Sequence, residues 1–215
     1  MTDFKNLVHA VSDVWKPREE IHPEKSENGS DVTILRPSSP TTADTWHASD
    51  KTASWTPKSE DPHLDSPNKP DTSPHIAESK FEKHPYLRTA AGIVMVEPDK
   101  RVWVCSPTNQ FGGYKCTFPK GTVDEGGNLQ DTAKREGLEE TGLHAKITHH
   151  LGDYNRSTSK TRFFVGQRTG GAPSKMGWES QAVHLVPIDK LHEHLHDQVD
   201  LNILADLKKH LGTSK

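Results

Sequence analysis

GTVDEGGNLQDTAKREGLEETGL, residues 121–143, decides how this chain is read. Residues 128–141 have the texture of a helix, and Gly142 stands where a left-handed residue closes one. Glu136, Glu139 and Glu140 are spaced i, i+3, i+4, and about 100° of rotation per residue puts the three carboxylates on one face. Like charges packed this closely destabilise a helix, so the arrangement calls for a cation. Hard carboxylate oxygens suit Mg²⁺ or Mn²⁺, and few protein ligands leave positions for water and phosphate oxygens. A solvated acidic face beside Lys134 and Arg135 is the plainer reading of the glutamates alone. The preceding FPKGTVDEGG, residues 118–127, tips the balance. Its glycines let backbone groups approach an anion, and Lys120 can reach a phosphate.

The surroundings predict a mixed α/β domain. AAGIVMV, RVWVCS, KCTFP, TRFFVGQ and VHLVPI read as strands rich in Val, Ile and Phe, with Pro98, Asp99 and Lys100 turning the first into the second. A second helical stretch covers residues 188–211 and breaks near Asp197. Strands interleaved with helices imply a mixed sheet sandwiched between helices, and the folded domain is expected over residues 85–215.

Upstream the texture is different. Of the 15 prolines, ten fall from Pro17 to Pro85, and residues 16–84 are rich in Ser, Thr, Asp and Lys. Such a stretch offers too little apolar surface to offset its ordering entropy, so it is expected to be a disordered tail. Residues 1–15 place Phe4, Leu7, Val8, Val11 and Trp15 at helical spacing, which allows a short amphipathic helix that docks on the domain, binds a protein partner or remains partly disordered. Only 31% of the chain is hydrophobic and its net charge is -3. It shows no basic stripe for nucleic acid and no apolar run long enough to span a bilayer. The N-terminus lacks the marks of a signal or transit peptide. Cys105 and Cys116 sit in apolar, strand-like stretches and read as reduced, packed thiols, which fits a cytoplasmic setting.

Residues 121–143 resemble the Nudix box, G-x5-E-x7-R-E-U-x-E-E-x-G-U, where U is bulky and apolar. Gly121, Arg135, Glu136, Glu139, Glu140, Gly142 and Leu143 all match in register, and the resemblance extends over roughly residues 86–211. It departs at two positions, with Gly127 in place of the first box glutamate and Gly137 in place of the bulky residue. In related enzymes that glutamate helps hold the box arginine, a role Asp124 or Glu125 could take here. Gly137 weakens a helix by about 1 kcal/mol relative to alanine unless close packing offsets it.

The resemblance implies a Nudix fold and Mg²⁺-dependent (or Mn²⁺-dependent) hydrolysis of the pyrophosphate bond in a nucleoside diphosphate linked to another group, such as a dinucleoside polyphosphate or ADP-ribose. It makes Glu136 and Glu140 the principal metal ligands, Glu139 a further ligand or base, Gly121 a carbonyl ligand, and Arg135 the residue that orients the glutamates. Glu179 is the alternative base. Lys120 and Arg156 are the expected substrate-binding cations, with Lys160 and Arg162 as further candidates. Trp178 and Tyr154 could stack on a base or simply pack. His192, His194 and His196 do not converge on one helix face, so a solvated helix is preferred to a zinc site. The competing reading is a Nudix-like domain that senses or binds a nucleotide, or serves as an adaptor, without turnover. The oligomeric state is not set by these features.

Overall fold

The computed structural model describes residues 31–35 and 74–213. The expected helix at residues 1–15 and most of the expected tail lie outside the described residues. Seven described strands form one mixed sheet: β1 (Val32–Leu35), β2 (Arg88–Val96), β3 (Arg101–Pro107), β4 (Lys120–Thr122), β5 (Leu143–Asn155), β6 (Ser159–Gly171) and β7 (Ser180–Pro187). Their order is β1-β7-β3-β2-β6-β5, with β4 paired to β2. The β2–β6 pair is parallel and the other pairs are antiparallel. Helix α1 (Leu129–Thr141) covers one face, and α2 (Leu191–His194) with α3 (Gln198–His210) covers the other.

Burial on both faces explains why β2 and β3 read as continuous apolar runs rather than alternating ones. Ile93, Met95 and Trp103 pack under α1 with Ala133 and Leu143. Val94, Val102 and Val104 pack under α3 with Ile203 and Leu207. Helix ends fall where local chemistry predicts. The Asn128 side chain accepts from the Gln130 and Asp131 amides, and Gly142 closes α1 at φ 74°, its N–H donating to the Leu138 carbonyl. Asp197 caps α3, which accounts for the break between the two C-terminal helices. The turn at Pro98–Lys100 is also present: Lys100 has φ 66°, and the Glu97 N–H donates to the Arg101 carbonyl at 2.8 Å.

Several expectations need correction. KCTFP is not a strand beyond one bridge, Cys105 with Thr117, and the paired segment begins at Lys120. β5 reads poorly as a strand because three register irregularities interrupt its alternation. The expected tail contributes two described pieces to the domain. Val32 and Ile34 of β1 are buried in the core beside β7. Residues 74–84 lie as a strap held largely by polar side chains, which apolar patterning does not register. Gln130 donates to the Ile76 carbonyl at 2.8 Å and accepts its amide at 2.9 Å, while Glu78 bonds both Gln130 and Arg162. No described helix is long and apolar enough to cross a membrane.

Candidate active site

One edge of β2 is shared. Met95 and Val96 pair with β3, whereas Ala90, Ala91 and Gly92 pair with β4. Helix α1 lays Glu136 and Glu140 over the place where β3 and β4 diverge. Gly121 of β4 is the seat of Glu136: a Cβ at that position would overlap the Glu136 carboxyl group. Glu140 accepts the Lys120 backbone N–H at 3.0 Å and faces the Cys105 thiol at 3.4 Å. Glu179, immediately before β7, completes the group. Carboxylate oxygens of Glu136, Glu140 and Glu179 all lie within 4.8 Å of one another, the one such metal-competent cluster among the described residues.

Burial raises the Glu136 pKa to about 7; Arg135 opposes the shift, and Glu140, Glu139 and Glu179 reinforce it. Burial also raises Glu140, against the pull of Lys120. Burial, then the Glu140 charge, pushes the Cys105 thiol well above its usual range, keeping it a neutral donor. Three crowded carboxylates, two of them resisting ionisation, form a site whose charge a divalent cation would balance, and their all-oxygen donor set suits a hard ion.

The three box glutamates part company. Glu139 is exposed and accepts from Arg135 at 2.8 Å, outside the cluster that Glu179 joins. Arg135 also lies 2.8 Å from Glu136, 3.7 Å from Asp124 and 3.3 Å from the Thr122 carbonyl. Asp124 thus stands near the arginine where Gly127 leaves no carboxylate, and Gly127 closes the turn by donating to the Asp124 carbonyl. Gly137 fits closely against the sheet, since a Cβ there would come 2.9 Å from Ile93 Cγ2.

Among the expected substrate-binding cations, Lys120 meets the site through its backbone N–H, which donates to Glu140. Its Nζ lies 3.1 Å from Thr117 Oγ1 and 4.7 Å above the Tyr114 ring. Arg156 is buried on the opposite face in an ion pair with Asp200 and donates to Tyr114 Oη at 3.2 Å. Arg162 is engaged by Asp153 and Glu78, and Lys160 donates to the Glu82 carbonyl. Tyr154 packs edge-on against Phe163 and bonds Asp206. His194 pairs with Asp31 at 2.9 Å, and the cysteines are buried and unbridged. Cys105 escapes sequence reasoning because nothing local distinguishes it from a core thiol.

This sheet, with an acidic helix seated over its divided edge, presents a carboxylate cluster able to hold a metal ion. The NUDIX domain family matches residues 86–207, and the chain belongs to that family. It is similar to an RNA pyrophosphohydrolase of Caulobacter vibrioides, 45% identical over 60 residues that cover 28% of this chain and 35% of the relative. A putative 8-oxo-dGTP diphosphatase of Bacillus subtilis is 34% identical over 76 residues, 34% of this chain and 51% of the relative. The chain thus spans about a third to a half of the curated relatives it matches. A NUDIX hydrolase structure from Nitrosomonas europaea aligns with TM-score 0.51 and 19% identity over 59% of this chain and 90% of that one. An Ap4A hydrolase from C. elegans aligns with TM-score 0.50 and 17% identity over 60% of this chain and 100% of that one. At these identities the structures support the fold alone.

Proposed function

We propose that the chain hydrolyses the pyrophosphate bond of a nucleoside diphosphate linked to another moiety, using Mg²⁺ or Mn²⁺. The convergence of the Glu136, Glu140 and Glu179 carboxylates beside Lys120 carries this reading. These three side chains would hold the cation, with the Gly121 carbonyl as a further ligand. A bound divalent cation supplies charge neutralisation at the phosphate oxygens and a lower pKa for the attacking water. Arg135 fixes Glu136 and Glu139 through its two amino groups. Glu139, exposed beside the cluster, is the carboxylate left to take the proton of the water. Lys120 orients an outer phosphate. The substrates in the relatives' names, an RNA pyrophosphate, 8-oxo-dGTP and Ap4A, form the first panel to test. Two buried, unbridged thiols support a cytoplasmic setting.

Gly127 favours one competing reading, nucleotide binding without turnover. Incubating the chain with Mg²⁺ and this panel, alongside Glu140→Gln, separates the two. Cleavage by wild type to a nucleotide plus pyrophosphate or a second phosphorylated product, lost in the variant, is the expected result. Nucleotide binding with no cleavage of any pyrophosphate, in either Mg²⁺ or Mn²⁺, would sink the hydrolase reading.

A further inference from the structure

Two of the clustered carboxylates are fixed in different ways. Arg135 holds Glu136 through an amino group at 2.8 Å, and Gly121 gives that carboxyl group its seat. Glu140, about one helical turn further on, is held from the sheet instead. Its Oε2 accepts the Lys120 backbone N–H of β4 at 3.0 Å and faces the Cys105 thiol of β3 at 3.4 Å. Both donors meet the same oxygen, and they come from the two strands whose divergence opens the site.

The thiol itself is rigidly placed. Cys105 is fully buried, pairs with Val183 of β7 on one edge, and exchanges backbone hydrogen bonds with Thr117 on the other, both at 2.9 Å. Its sulfur also lies 3.5 Å from the Thr117 carbonyl. That oxygen already accepts the Cys105 N–H, and an S–H has one proton to give, so an ionised Glu140 is the stronger acceptor. Cys105 stands outside the set of mutually close donors formed by Glu136, Glu140 and Glu179. A thiol that touches one member of that set without joining it is placed to support a ligand rather than to be one.

We infer that Cys105 is a positioning residue for the metal site: its S–H donates to Glu140 Oε2 and, with the Lys120 N–H, leaves Oε1 to meet the cation. This rests on the divalent-metal reading of the carboxylate cluster. A thiol is a weak donor, but its bond to a carboxylate is charge-assisted and the buried setting strengthens it. Partners that hold a metal ligand in this way change metal affinity about tenfold or more when removed.

Calorimetric Mn²⁺ titration of the full chain, with Cys105→Ala, Cys105→Ser and Cys116→Ala, tests this. Alanine and serine are close in volume, so a difference between them reports the hydroxyl donor and not packing. Cys105→Ala is expected to weaken Mn²⁺ binding about tenfold, and Cys105→Ser to recover part of that loss. Cys116→Ala, which removes the other buried thiol from the opposite face of the sheet, should leave the affinity unchanged. In infrared spectra of the metal-free chain, the S–H stretching band that Cys105→Ala removes should move to higher frequency in Glu140→Gln. The inference is overturned if Cys105→Ala binds Mn²⁺ as tightly as wild type, if serine is no better than alanine, if Cys116→Ala weakens binding equally, or if the S–H band ignores Glu140→Gln. Any of these with Mn²⁺ still bound by wild type leaves the metal reading standing. A responsive S–H band in a wild type that binds no Mn²⁺ would remove the metal reading and the thiol's positioning role with it.

Discussion

Glu78→Ala tests whether the strap is part of the folded domain. The Glu78 carboxylate lies 2.7 Å from an amino group of Arg162, whose side chain is 1% exposed, and 2.8 Å from the Gln130 amide. Arg162 keeps its two bonds to Asp153, so the variant leaves no isolated buried charge. The loss is then one charge-assisted hydrogen bond, worth about 1.5–3 kcal/mol, and one neutral-donor bond of about 1 kcal/mol. Water entering the vacated position returns part of this, leaving a net of about 2 kcal/mol, or a Tm lower by roughly 4–8 °C for a domain of this size. Urea unfolding followed by circular dichroism measures it. Removal of residues 1–73 should destabilise the domain, because it takes β1 out of the core, and removal of residues 1–84 should destabilise it further by taking the strap as well. A change within about 0.5 kcal/mol for Glu78→Ala, together with equal stability of the two truncations, would refute the strap's role and restore a boundary at residue 85.

Three further outcomes are expected. Gly121→Ala should displace Glu136 from its seat, weakening Mn²⁺ binding roughly tenfold or more by calorimetry while the circular dichroism spectrum is retained. Gly137→Ala should lower stability by about 1–2 kcal/mol despite alanine's helix preference, because the added methyl meets Ile93; a higher Tm would show that the close fit is relaxed at no cost. His184 is buried between Thr33 and Ser106, and burial, then nearby His194, lowers its pKa to about 3. A folded pKa below the unfolded value contributes stability that is present above about pH 6.5 and is lost as pH falls toward 3. Wild type should therefore lose about 1.4 kcal/mol per pH unit more than His184→Gln below pH 6.5 in urea titrations, and parallel pH profiles would contradict this.

Much of α1 was legible in residues 121–143 because a helix is specified locally. Asn128 and Gly142 act on their own neighbours, and the spacing of Glu136 and Glu140 sets their shared face without reference to any other element. The division of labour among the carboxylates was not legible. Glu139 belongs to the same run, yet its rotation points it to Arg135, and Glu179 reaches the cluster only because β7 pairs with β3 and Thr108 holds its backbone. Arg156 reads as a substrate-binding cation until Asp200 of α3 is brought against it. Strand β1 is only four residues long and the strap carries few apolar residues, so their attachment depends on distant partners, among them Gln130, Arg162 and His184, that no local pattern announces. The sequence by itself determined the acidic helix, its caps and most of the strands around it. Tertiary structure decided which carboxylates meet and which segments of the N-terminal region join the domain, because those outcomes depend on contacts between residues far apart in the chain.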